Sequence, residues 1–264
     1  VKGDPVRHDR LRLPALCSSL PRIVANGLSC LTITDIDLCG NKQDRDHLVE
    51  AVGAVGLKLE SLFLKGINTR VHENMEGFLD PVLLALHSSD DGSIRQQPTR
   101  FGLGGGDSWS HNASVSGSSL CLVSTQALRL YLTSTAAFTS TLPRYLGLSH
   151  LGLGDDHCKI IATLLRRNDR APVGLVSKLG DFLPGGAVFG ELDLTGNCLI
   201  GLSGYEAILG LLNREHWIGK VSVDDAGWQA KFGLVADMNT QHGRGLFLQD
   251  GVFDSKAAWV DWIA

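Results

Sequence analysis

The chain has little of what marks most catalytic or nucleic-acid-binding proteins. Aromatic residues are 6% of its 264 residues, and methionine occurs twice. The six cysteines are Cys17, Cys30, Cys39, Cys121, Cys158 and Cys198, and no two form a C-x-x-C pair or a metal-ligand spacing. Such usage points to reduced thiols acting as small apolar groups, and to an intracellular, by preference cytoplasmic, setting. No apolar run reaches the roughly 18 residues that a membrane-crossing helix needs, so no membrane contact is expected. With a net charge of −4 and no strongly basic field, direct contact with nucleic acid is not expected either.

Catalytic signatures are missing as well. There is no G-x-S-x-G elbow and no H-x-x-x-H pair. The glycines of Phe101-Gly-Leu-Gly-Gly-Gly-Asp107 lack the lysine or the G-x-G-x-x-G spacing of a phosphate loop. Asp155-Asp156-His157-Cys158 is a row of four potential ligands, but adjacent residues cannot all face one ion, and the position fits a helix start. No catalytic residue, metal or cofactor is therefore expected, and the chain reads as a non-enzyme.

What is abundant is leucine, and it recurs. Phe189–Asn213 opens as L-x-x-L-x-L-x-x-N-x-L, with Phe189, Leu192, Leu194, Asn197 and Leu199 in the marked places. Ile33, Ile36, Leu38 and Asn41 form a second such unit. Leu146, Leu148, Leu151 and Leu153 form a third, running to Asn168. Indexed on the first apolar residue of each L-x-L core, the series is Leu11, Ile36, Leu62, Leu120, Leu146, Leu192, Val221 and Leu246. Its intervals are 25, 26, 58, 26, 46, 29 and 25. Most lie within the roughly 20–29 residues of a leucine-rich repeat. The two long intervals read as one period plus an insertion, at about 88–119 (rich in Ser and Gly) and about 169–188.

LDLTGN followed by LIGLSGYEAILGLLN resembles the ribonuclease-inhibitor subclass of leucine-rich-repeat proteins. The resemblance implies an α/β fold, a single leucine-rich-repeat solenoid domain over 1–264 with about eight repeats. Its parallel sheet would curve along the concave side, with helices on the convex side. The L-x-L alternation sends apolar side chains to one face of a strand. Ile160, Ile161, Leu164 and Leu165 then follow at helical spacing. One strand and one helix cannot close a core alone, so neighbours must stack. A buried asparagine at the repeat turn would serve the backbone groups of adjacent coils.

In this family the residues flanking each L-x-L face the concave side. Asp35, Asp37, Glu60, Phe63, Tyr145, Glu191, Asp193, Asp224 and Phe247 are accordingly the expected partner-binding residues. Counted over all such flanks, carboxylates exceed Lys and Arg by nine to six. The expected role is a non-catalytic protein-interaction scaffold, a subunit of a larger assembly that binds protein partners through this face and the insertions. The family's regulators imply an alternative, control of a partner enzyme as a GTPase activator or a ribonuclease-type inhibitor. Ala258, Trp259, Trp262 and Ile263 fall on one helical face and suit a terminal cap.

Overall fold

A computed structural model describes residues 12–38, 42–68, 76–86, 98–106, 121–138, 144–165, 190–215 and 218–246. Strands and helices alternate along them. The order is α1 (Arg12–Ala25), β1 (Cys30–Thr34), α2 (Lys42–Val55), β2 (Ser61–Ile67), α3 (Asp80–Ala85) and β3 (Arg100–Gly105). It continues with α4 (Thr125–Phe138), β4 (Tyr145–Ser149), α5 (Asp155–Leu164), β5 (Gly190–Asp193), α6 (Leu202–Arg214), β6 (Ile218–Ser222) and α7 (Ala226–Leu246).

The six strands form one parallel sheet in sequence order, β1-β2-β3-β4-β5-β6. Parallel neighbours need crossovers, and the helices supply them. Each helix packs on the next, from α1 on α2 through α6 on α7. One apolar row crosses the sheet in register, through Leu31, Leu62, Phe101, Leu146, Leu192 and Val221. Two residues on, Ile33, Leu64, Leu103, Leu148, Leu194 and Val223 are all buried. Both rows point into the core shared with Leu48, Leu83, Leu128, Ile161, Ile208 and Phe232 of the helices. Alternation turns the residues between these rows to the opposite face of the sheet, which no helix covers among the described residues.

The strand exits repeat a backbone feature. Four residues after the row residue, Asp35, Gly66, His150 and Gly196 all have positive φ, at 57, 64, 53 and 73°. The left-handed conformation thus marks the exit of each of these strands, and at Gly66 it falls within the register shift between β2 and β3. Glycine adopts it freely, whereas aspartate and histidine adopt it at some cost. The next residue in each case turns inward and is buried: Ile36, Ile67, Leu151 and Asn197.

Asn197 acts as expected of an asparagine at this turn. Its Nδ2 donates to the carbonyls of Leu148 (2.7 Å) and Leu194 (2.8 Å). Its Oδ1 accepts the amides of Leu151 (3.0 Å) and Leu153 (3.1 Å) in the preceding coil. Where an aliphatic residue stands instead, backbone bonds join the coils directly, as from the Asn68 amide to the Ile36 carbonyl at 2.8 Å.

A helix closes the far margin of the sheet. Gln229 in α7 accepts the Val223 amide on Oε1 (2.9 Å) and donates through Nε2 to the Val221 carbonyl (3.0 Å). The Ser222 carbonyl accepts from Leu194 of the preceding coil, so the Val221 and Val223 groups point the other way. One side-chain amide thus takes the place of a peptide unit in a seventh strand.

Three sequence expectations need correction. In the second unit Leu31 and Ile33 are the strand pair, in register with Leu62 and Leu64, while Ile36 sits at the asparagine position. The stretch 88–119 is not only a loop, because β3 lies within it and stands between β2 and β4. Leu246 ends α7 rather than opening a strand. The described residues carry six strands. Leu11, Leu120, Asn41, Phe247, the insertion at 169–188 and the Ala258–Ile263 face lie outside the described residues.

Candidate partner-binding face

The open face of the sheet is built from residues flanking the two apolar rows. Register places Ser61, Arg100, Tyr145, Glu191 and Lys220 side by side across β2 to β6. The next outward row runs Thr32, Phe63, Gly102, Gly147, Asp193 and Ser222.

Its centre is aromatic. Phe63 and Tyr145 meet edge to face with ring centroids 5.4 Å apart, across an intervening strand that carries Gly102 there. They can meet because no side chain separates them. A Cβ on Gly102 would lie 2.7 Å from the Phe63 ring, and one on Gly147 2.7 Å from the Tyr145 ring. The glycines of β3, which look like loop residues in the sequence, let the rings rest on backbone.

Polar groups pin these rings. The Tyr145 hydroxyl donates to Asp193 Oδ2 at 3.1 Å. The other carboxylate oxygen accepts from Thr195 Oγ1 (2.7 Å) and the Thr195 amide (3.1 Å). Burial, and then the charge of Asp193, push the Tyr145 phenol above its usual range, against the pull of Arg100. Tyr145 is thereby held as a neutral donor. The Arg100 guanidinium lies 5.9 Å from the Tyr145 ring centre, and the Lys65 ammonium 5.3 Å from that of Phe63. Lys220 and Glu191 form an exposed ion pair at 3.7 Å, of little energetic weight.

Of the expected binding residues, the structure brings together Phe63, Tyr145, Glu191 and Asp193. It leaves others at the strand ends. Asp35 is exposed at its left-handed turn, and Asp37 bridges to Asn68 beyond β1. Glu60 precedes β2 and accepts the Arg100 amide on its carbonyl. Asp224 follows β6 and accepts the Gly196 amide at 2.5 Å. The expected acidic excess does not carry over to the face itself. On the two outward rows Arg100 and Lys220 stand against Glu191 and Asp193, and one position further along Lys65 stands against Asp224. Arg100 was missed with β3. Its signal was the pair Phe101 and Leu103, two apolar residues at strand spacing inside the glycine run.

The Asp155–Cys158 row is spent on helix starts. Asp155 Oδ1 accepts the Gly201 amide (2.6 Å), and Asp156 pairs with Lys159 (3.1 Å). His157 Nδ1 accepts the Gly154 amide (3.3 Å), which leaves Nε2 protonated to donate to the Val123 carbonyl (3.0 Å). Cys121 Sγ lies 3.5 Å from that Nε2. The two resemble a thiol–imidazole dyad, but burial pushes the Cys121 thiol up to about 12 and the His157 imidazole down. Burial thus favours the neutral form of both groups. Cys17 and Cys158 are also buried, while Cys30 and Cys198 are exposed, contrary to the expectation that the thiols are core groups. Among the described residues no helix is long and apolar enough to cross a membrane.

Comparison with family models, with curated proteins and with solved structures finds no match.

Proposed function

We propose that this chain is a leucine-rich-repeat solenoid of the ribonuclease-inhibitor-like kind. It serves as a non-catalytic module that holds a protein partner against the open face of its sheet, as a subunit of a larger assembly. The observation that carries this reading is the Phe63–Tyr145 pair, half-buried and braced by Asp193 on a sheet face that none of the described helices covers. Aromatic side chains with restricted freedom make good anchors, because little entropy is lost when a partner covers them. The in-register apolar rows, the recurring left-handed strand exits and the bridging Asn197 support the repeat reading.

A photo-crosslinking residue at Phe63, compared with one at Leu130 on the exposed side of α4, tests this in the native cell. Capture of the same discrete polypeptide from position 63 and not from 130 is the expected result. Crosslinking confined to position 130 would remove the sheet face as the contact.

A further inference from the structure

The chemistry of the partner can be taken one step further, on the basis of that reading. Strands β2 to β4 present two cations and an aromatic pair on a floor without side chains. Lys65 and Arg100 are both exposed. Among the described residues neither forms an ion pair; each rests on a ring instead. Of the carboxylates on the outward rows, Asp193 accepts from Tyr145 and Thr195 and Glu191 pairs with Lys220, while Asp35 and Glu60 are exposed at the exit of β1 and the entry of β2. The charged side chains that flank Phe63 on the outward positions of β2 and β3 are thus both cations, although the chain as a whole is at −4.

The register also sets a spacing. Arg100 pairs with Ser61, so Lys65 lies four residues along the strand and one strand across from it. At about 3.3 Å per residue and about 4.8 Å per strand, their backbones are about 14 Å apart. Phe63 lies between them, two residues before Lys65 on β2 and one row on from Arg100. An extended peptide covers about 14 Å in four residues, and its alternate side chains face one way. Residues i, i+2 and i+4 would then meet one cation, the rings, and the other cation in turn.

We infer that this surface recognises an extended acidic peptide segment of the form acidic-x-apolar-x-acidic. Its two carboxylates pair with Lys65 and Arg100, and its central apolar side chain lies on Phe63 and Tyr145. The glycines at 102 and 147 matter because a side chain there would lift the rings and close the approach. Single-stranded nucleic acid also stacks on aromatics between cations. A phosphate backbone brings a negative charge at every nucleotide, some of which would meet Asp193 and Glu191, whereas the peptide brings two carboxylates placed at the two cations, so the peptide is the better fit.

The test uses the full chain and fluorescein-labelled peptides whose positions 1, 3 and 5 are varied among acidic, basic, polar and apolar residues. A labelled ten-nucleotide oligouridine is included. Glu-Ala-Leu-Ala-Glu should bind best by anisotropy. The double variant Lys65→Glu, Arg100→Glu should weaken it at least tenfold and gain binding of Lys-Ala-Leu-Ala-Lys. Lys159→Ala on α5 should change nothing, and circular dichroism checks that each variant is folded. Best binding by a basic or neutral peptide, lost in Phe63→Ser, overturns the acidic motif but keeps the face as a protein-binding surface. If no peptide responds to Phe63→Ser, both readings fall. Tighter binding of the oligouridine, abolished by the double charge reversal, assigns the face to nucleic acid instead.

Discussion

Asp155 Oδ1 accepts the backbone amide of Gly201, at 2.6 Å and 46 residues further along the chain. The carboxylate stands in the first turn of α5, and the amide lies just ahead of α6. The same tie recurs between Asp80 at the start of α3 and the Ser124 amide ahead of α4, at 2.7 Å. A charged acceptor in one coil thus serves the helix entry of another. Replacing Asp155 with Ala leaves the Gly201 amide without its charged acceptor, and should cost about 1–2 kcal/mol. Urea denaturation measures it. Asp155→Asn, which keeps an oxygen there, should recover part of the loss.

Asn197 poses a sharper test. Leu151 holds the equivalent place one strand earlier, so Asn197→Leu substitutes a residue that the chain itself uses there. The amides of Leu151 and Leu153 and the carbonyls of Leu148 and Leu194 would lose their partner. The expected loss is about 2–4 kcal/mol, because several buried groups are stranded together. A change in the urea midpoint of less than a quarter of the wild-type value would show that backbone or water replaces the amide readily.

His157 couples stability to pH. Burial lowers its pKa in the folded chain below the ordinary 6.5. Below about 6.5 the unfolded chain binds a proton that the folded chain refuses, so stability falls as pH drops. It is fully present above that value. Between pH 7.5 and 5.5 this group alone should remove up to about 1.4 kcal/mol. His157→Gln should flatten that part of the profile in paired denaturation curves, and an unchanged slope would show that His157 charges freely in the folded state.

Gln229 bears on aggregation as well as stability. In Gln229→Leu the Val221 carbonyl and Val223 amide lose their partner, at a cost of about 1–2 kcal/mol. A bare strand margin also invites pairing with another chain. Light scattering on mild warming should rise earlier in the variant than in a control of equal stability.

The thiols should divide by burial. Maleimide should modify Cys30 and Cys198 within minutes in the native protein. Cys17, Cys121 and Cys158 are held at about 11, 12 and 12 by burial and should react only in denaturant. Peptide mass spectrometry reads the sites directly. Prompt native labelling of Cys158 would mean that the α5 core opens readily.

Legibility in the sequence tracked how far local pattern and tertiary packing agreed. The units at Leu146 and Leu192 were readable because leucine spacing, turn residues and the following helix coincide. β1 was misplaced because Leu31, Ile33, Ile36 and Leu38 repeat the same gaps in two frames, and Asn41 favoured the wrong one. Only pairing with β2 decides between them. β3 escaped notice because its glycines are poor strand formers. It is a strand because β2 and β4 hydrogen-bond to both of its sides and need the room above it. Phe63 and Tyr145 were found as flanking aromatics, but their contact depends on Gly102, which no local pattern reveals. Asp35 and Asp37 fall on the expected face only with the frame set five residues late, at Ile36 rather than Leu31, and Glu60 lies one residue ahead of β2.

The two margins of the sheet are unlike, and this gives any redesign a direction. A strand–helix unit spliced ahead of β1 would meet peptide groups that, among the described residues, have a strand neighbour on one side alone. The same graft behind β6 would first have to evict the amide of Gln229 and turn α7 aside. Engineered lengthening is therefore expected to succeed at the amino-terminal margin and to misfold at the other.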